Sequence, residues 1–355
     1  MIPVLYISTE TDFTKVGMPL TECVKCEITE ERNGAFDGEL SYPVDGVFFA
    51  HLTYGAIVKT TSNTTSDPQL FRIQKITKVL GGIITYYMTH ISYELNGFPL
   101  LPYTYTAVNP GEAITQAIDH LTYAPYCDLY TAWSDITSEL TFSTIIPITM
   151  RAFLGGSDGS VLDRWGTGEY EFDNRVIKFH AARGADNGVT IEYGKNLIDL
   201  NQEENIEESY THLKPYAYVD DTLYTVLSIL LDYTVFPGYN KALIKEFTFD
   251  DGETPSSALL LSKANSWIAT NDPGKLKVSL TVQFVPLADT ADFGDYPPIE
   301  TVSLCDIVTV IYPKLGISAK AKVIKTVYDS LRERYISVDI GDAKTDIVDA
   351  IKSIK

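Results

Sequence analysis

The stretch "EYEFDNRVIKFH", residues 169–180, gathers Glu169, Glu171, Asp173, Arg175, Lys178 and His180 into one run. Such a set could hold a metal ion or supply a general acid–base pair. An acid–base pair needs burial or a charged neighbour to tune its pKa. The alternation of the run offers another reading. With Asp173 and Asn174 as a two-residue turn, Phe172 pairs with Arg175, Tyr170 with Ile177 and Glu169 with Lys178. One face then carries Tyr170, Phe172, Ile177 and Phe179, and the other Glu169, Glu171, Val176, Lys178 and His180. The charged groups are therefore expected on the solvated face of a hairpin, where nothing tunes a catalytic pair.

Other candidate chemistry is thinner. "GGSDG", residues 155–159, fits the G-x-S-x-G pattern with Ser157 as nucleophile. That motif needs a buried strand before the serine and a helix after it. The preceding "TMRAFL" is not such a strand, and Ser160 with Asp163 reads as a cap opening a short helix. A Gly-rich turn between two short helices is expected. Asp289, Asp292 and Asp295 stand three apart, where a calcium loop needs acids two apart and a glycine at its sixth position. His51, His90, His120, His180 and His212 show no metal-ligand spacing. "ARGADNGVTIEYGKN" lacks the strand-to-helix setting of a dinucleotide loop. Of Cys23, Cys26, Cys127 and Cys305, the first two form a lone CxxC with no second pair at zinc-site spacing, and they read as two unrelated reduced thiols. No catalytic, cofactor-binding or metal-binding residue is expected, and no cofactor.

The totals narrow the class further. The chain has 355 residues, 45% of them hydrophobic and 21% charged, which suits two or more folded domains. With 47 acids against 28 Lys and Arg, the formal net charge is −19. No basic tract is present, which argues against gripping phosphate backbones or an anionic membrane surface. "MIPVLYISTETDF" has no signal-peptide features, so synthesis in a cytoplasm is expected. The run "LYTVLSILL" is too short and polar to anchor the chain in a bilayer.

The elements that would position any site are mostly strands, in keeping with 23 tyrosines and frequent Thr and Val. Residues 26–44 read as a hairpin turning at Asn33-Gly34, residues 70–95 as two long strands broken at Gly81-Gly82, and residues 319–343 as a similar pair. Helical spacing is confined to 109–121, with Pro110 and Glu112 in its first turn, to 254–268, capped by Ser or Thr, and to 342–354. An internal echo links the halves. An acidic hairpin, a short strand and a long hairpin follow one another at 28–95, and again through "LNQEENIEESYTHLKPYAYV" (200–219), "CDIVTV" (305–310) and 319–343. This order predicts a duplicated antiparallel β-domain, with the second copy interrupted by an insertion.

Several stretches carry a family resemblance: "NGAFDGELSYP", "DPQLFRI", "THISYEL", "GEYEFDNRVIKFHAARGADNGVTIEYGKNL" and "KAKVIKTVYDSLRERYISVDIGDA". Together they resemble the prophage endopeptidase tail family, the tail-tip or baseplate-hub proteins of siphophages. The likeness covers nearly the whole chain and is least distinct over about 220–300.

The resemblance implies a mainly β fold with α+β parts: two similar antiparallel, tail-tube-like β-barrels with smaller α+β domains inserted, as in phage baseplate hubs. Residues 1–98 would form the first barrel, 99–186 a middle α+β domain, and 187–219 with 300–343 the second barrel. Residues 220–299 would be an inserted α+β domain and 344–355 a C-terminal helix. It implies a structural, non-enzymatic protein of the virion, a homotrimer at the tail tip beside the distal tail protein and the tail tube or tape-measure protein. Receptor-binding or lytic tip proteins are further partners it allows. Three chains would then present six barrels to a sixfold tube, around a passage for DNA. The long hairpins at 70–95 and 319–341 are expected as contact strands, since their edges would otherwise stay unpaired. In many members a peptidoglycan-cleaving domain follows the hub, but the hub-like part here runs to the final "DAIKSIK", so none is expected. A peptidoglycan hydrolase with an unrecognised site is the alternative.

Overall fold

The computed structural model describes residues 1–121, 127–156, 159–232, 238–249, 253–275, 277–284, 302–315 and 317–341. Its contacts fall into two units: residues 1–199, 282–308 and 322–339 form the larger, and 200–281, 309–321 and 340–355 the smaller.

The larger unit opens with β1 (Val4–Tyr6), β2 (Met18–Pro19), β3 (Lys25–Glu31), β4 (Phe36–Pro43), β5 (Ile57–Thr60), β6 (Gln69–Thr77) and β7 (Ile83–His90). Strict alternation is what makes these residues strands: in β3, Cys26, Ile28 and Glu30 are buried and their neighbours are not. Asn33 sits at φ 54 in the β3–β4 turn, a left-handed conformation that asparagine tolerates. The expected hairpins at 26–44 and 70–95 are both observed. Leu5, Ile28, Leu40, Tyr42, Val58, Phe71, Ile73, Tyr86 and Met88 pack between them as one core.

Next along the chain come β8 (Pro99–Leu100), β9 (Thr104–Val108), α1 (Pro110–Asp119), β10 (Thr131–Ser134), β11 (Leu140–Ser143), β12 (Ile148–Thr149), α2 (Met150–Leu154), α3 (Val161–Trp165), β13 (Glu169–Asp173) and β14 (Val176–His180). Helix α1 starts where the sequence placed it. The Asn109 side chain accepts the Glu112 N–H while Glu112 accepts the Asn109 N–H, and Pro110 occupies the first turn. Its buried face, Ala113, Ile114, Ala117 and Ile118, meets Tyr105, Phe142, Phe153, Tyr170 and Phe179 in a second core. Strand β14 lies between β13, antiparallel, and β10, parallel.

The remaining elements are β15 (Asp186–Glu192), β16 (Leu197–Asn205), β17 (His212–Val219), β18 (Thr222–Thr225), β19 (Ile229–Leu230), β20 (Ala242–Glu246), α4 (Ser257–Asn271), β21 (Lys277–Phe284), β22 (Ile307–Tyr312), β23 (Ile317–Asp329) and β24 (Arg334–Gly341). In the smaller unit, β18 and β19 pair antiparallel with β17, and β20 pairs parallel with it. Leu213, Leu231 and Ala264 make its core, with Trp267 of α4 packed against them. The expected helix at 254–268 is α4, capped by Ser256, which accepts the Leu259 N–H. The expected helix at 342–354 lies outside the described residues.

Two expectations are corrected here. Residues 200–219 do not form a hairpin: β16 pairs with β21, and β17 belongs to another sheet. Nor do the long hairpins carry open edges. Strand β6 is bracketed by β5 and β7, and β7 by β6 and β4, while β23 is bracketed by β3 and β24. Lys325 to Asp329 of β23 pair antiparallel with Glu31 to Glu27 of β3, so the late strands extend the sheet of the early ones in the larger unit. Unpaired edges therefore give no reason to make these hairpins the contact strands.

Candidate functional site

The opening run forms the predicted hairpin, but in a different register. Asp173 pairs with Val176, Phe172 with Ile177, Tyr170 with Phe179 and Glu169 with His180. The turn is Asn174-Arg175, because Asn174 takes the left-handed conformation at φ 53. A two-residue shift preserves the side-chain alternation, so Tyr170, Ile177 and Phe179 still face the core.

The other face is not the solvated one expected. Glu169 is 7% exposed and Glu30, from β3, is 6% exposed. Arg183, just beyond β14, lies between them: Nη1 donates to Glu30 Oε1 at 2.8 Å and to the Tyr170 carbonyl at 3.1 Å. Its Nε is 4.0 Å from Glu171 Oε2. Glu169 also takes Lys322 Nζ at 2.7 Å and stands 3.6 Å from Arg32. Lys178 bridges Glu171 at 2.8 Å and Asp173 at 3.2 Å, and His180 Nε2 is 3.1 Å from Glu171. The acids and bases come from β3 and the turn after it, from β13, from β14 and the residues just beyond it, and from β23, and neutralise one another at a junction. Spacing within the run could not reveal this, since three of the partners are more than a hundred residues away.

Two side-chain amides fasten the same hairpin. Asn33 Nδ2 donates to the Gly168 carbonyl at 2.8 Å, and Asn33 Oδ1 accepts the Tyr170 N–H at 2.8 Å, so the β3–β4 turn occupies the edge of β13. Gln69 Oε1 accepts the Asn174 N–H at 2.7 Å. Between residues 62–69 and the hairpin runs a cleft of about 230 Å³, lined by Glu30, Asn63, Asp67, Glu171, Lys178 and Arg183 among others. Of its charged walls, Glu30, Glu171, Lys178 and Arg183 are already paired with one another, which suits a rigid junction.

Gln69 Oε1 also faces His90 Nε2 at 3.2 Å, and the His90 ring stacks on Phe36 at 4.2 Å. Since that oxygen can only accept, Nε2 carries the proton and Nδ1 accepts the Ser92 N–H. Burial first, and then the charge of Arg151, push His90 well below the usual imidazole range. An unfolded histidine takes up its proton near pH 6.5, while the folded one resists. This contribution to stability is therefore present above that pH and lost as pH falls below it. The urea midpoint should drop between pH 7 and pH 5, and His90→Gln should shrink that drop.

The remaining candidates disperse. Ser157 lies outside the described residues, but α2 before it and α3 after it give the two short helices expected, with Ser160 accepting the Asp163 N–H. Asp289, Asp292 and Asp295 lie outside the described residues. Cys23, Cys26 and Cys305 are free thiols, and burial pushes Cys23 up to about 12. His51 ends a short turn, His120 lies tilted against the Tyr103 ring, and His212 begins β17 beside Thr211. Among the described residues, no three His, Cys, Asp or Glu side chains are placed to hold a metal ion. None of their helices is long and apolar enough to cross a membrane, which leaves β-barrel spanning untouched.

Comparison with known proteins adds likenesses of fold and, over part of the chain, of sequence. A search of the curated proteins finds no match. The fold is similar to that of a prophage tail protein from Listeria monocytogenes, with TM-score 0.59 and 12% identity, covering 100% of this chain and 98% of that one. It is similar also to a prophage tail protein from Shewanella oneidensis (TM-score 0.60, 12% identity, 99% and 100% covered). A tail protein from Neisseria meningitidis is similar at TM-score 0.60 and 11% identity, with 98% of each chain covered. At such identities the likeness speaks for the fold alone. Over residues 185–351 the sequence matches the prophage endopeptidase tail family, the family that it resembles.

Proposed function

We propose that the chain is a structural hub protein of a phage tail tip, not an enzyme. The match of residues 185–351 to the family carries this reading, and the fold shared with prophage tail proteins over nearly their full lengths supports it. On this reading three copies form a ring that closes the tail tube, meets the distal tail protein and the tube or tape-measure protein, and passes DNA. The domain division is kept as part of the proposal: barrels at 1–98 and at 187–219 with 300–343, and α+β parts at 99–186 and 220–299. The absent hairpin at 200–219 means that the second barrel would be built differently at that point. An excess of 47 acids over 28 Lys and Arg suits a passage that DNA must cross without adhering.

Co-expressed with the distal tail and tube proteins of its phage, the chain should appear in negative-stain images as a threefold ring at the tube end. Purified alone, it should leave a cell-wall zymogram unlysed and should not retard DNA at physiological salt. Lysis bands, or tight and salt-sensitive DNA binding, would overturn the reading.

A further inference from the structure

The dipeptide Asn-Gly occurs at three places in the chain, Asn33-Gly34, Asn96-Gly97 and Asn187-Gly188. It is chemically exposed to attack from within, because glycine sets no side chain beside its own nitrogen. That nitrogen can close on the side-chain carbon of the asparagine, and the fold decides where it does.

The three surroundings differ. Asn33 commits both side-chain atoms to the edge of β13: Nδ2 donates to the Gly168 carbonyl and Oδ1 accepts the Tyr170 N–H, each at 2.8 Å. The Gly34 N–H is engaged as well, by the Glu31 carbonyl at 3.1 Å. Asn96 lies in a short helical turn, Ile91–Gly97, where a helical backbone holds the next nitrogen away from the side chain. Asn187, near the start of β15, is exposed, and its amide is held by one long bond, Nδ2 to Asp306 Oδ2 at 3.5 Å. Gly188 is exposed too, and a Cβ there would meet nothing within 4 Å, so the two groups have room to approach. The Gly188 N–H already faces a base, since Asp186 Oδ1 accepts it at 3.1 Å.

We propose that Asp186-Asn187-Gly188 is a self-modifying site, where Asn187 turns into isoaspartate and aspartate while Asn33 stays intact. The Gly188 nitrogen bonds to Asn187 Cγ as the Asp186 carboxylate takes its proton. The bond from Cγ to Nδ2 then breaks, and ammonia leaves with that proton. Solvent water opens the cyclic imide at either carbonyl, giving isoaspartate or aspartate. The chain and water supply every atom.

The product bears on the fold through its neighbours. Ala185 is fastened to the segment around residue 306, its N–H on Asp306 Oδ1 at 2.8 Å and its carbonyl on the Ile307 N–H at 3.0 Å. Val189 and Ile191, just beyond, are buried. Isoaspartate inserts a backbone carbon between these two anchors. Either product also sets a carboxylate beside Asp306, which is 5% exposed. Both changes strain the pairing of β15 with β22.

Peptide mapping by mass spectrometry tests this on the intact chain, aged at mildly alkaline pH. Residue 187 should gain the mass of an amide turned into an acid several-fold faster than residue 33 or residue 96. In urea, where no fold shields them, the three sites should react at similar rates. Asp186→Ser should slow residue 187 several-fold in the folded chain. Equal rates at the three sites of the folded chain, or residue 33 reacting first, would overturn the proposal. So would an undiminished rate in Asp186→Ser, because the carboxylate would then not be the base.

Discussion

Arg183→Ala is expected to destabilise the protein by about 3–5 kcal/mol, the cost of leaving a buried charge without its partner. Glu30 is 6% exposed, and Arg183 Nη1 holds it at 2.8 Å. Removing the guanidinium also strips a donor from the Tyr170 carbonyl and a positive charge from beside Glu171. Arg183→Lys should rescue little, since one ammonium cannot stand at once where Nη1 serves Glu30 and Tyr170 and where Nε faces Glu171. Arg183→Met combined with Glu30→Gln should recover more than half of the loss, because a neutral, well-filled site no longer strands a charge. Urea unfolding of the unaltered chain and the three variants reads the series. A loss under about 1 kcal/mol for Arg183→Ala would place the pair in the range of screened surface salt bridges.

That expectation could not have come from the sequence, and the reason is physical. Local chemistry was legible: Asn33-Gly34 and Gly81-Gly82 mark the hairpins that form, Asn109 with Glu112 marks the cap of α1, and Ser256 that of α4. The faces of 169–180 were legible too, because alternation survives a register shift of two. The register itself was not, since it turned on which residue of the turn, Asp173 or Asn174, would adopt positive φ. Burial of the charged face was beyond reach. It depends on Glu30, Arg32 and Lys322, and no pattern within the run announces that these will converge on it. The acidic stretch 200–219 misled for the same reason, as β16 and β17 each found other partners. Family resemblance reached further, because it compares whole segments and not spacings.

The second large effect contrasts two glycines within a few residues. Gly184 has φ 81 and Gly188 has φ 73, so alanine at either meets the same left-handed penalty of about 1–2 kcal/mol. Their surroundings differ. A Cβ at Gly188 meets nothing within 4 Å, whereas at Gly184 it would lie 2.3 Å from the Cys305 carbonyl carbon and 2.6 Å from the Asp306 nitrogen. Those are backbone atoms, and they are tied down: Asp306 accepts the Ala185 and Ser303 N–H groups, while the Ile307 N–H bonds to the Ala185 carbonyl. Cys305 itself sits at φ 73, so this segment is strained before any addition. Overpacking costs about 1–3 kcal/mol even where side chains can yield, and here none stands in the way to do so. Gly188→Ala should therefore lower stability by about 1–2 kcal/mol and Gly184→Ala by about 3–5 kcal/mol, measured by urea unfolding at pH 7. Because the left-handed term is common to both, the difference isolates the close approach of residue 184 to Cys305. Equal losses would mean that Gly184 does not lie against Cys305 in solution.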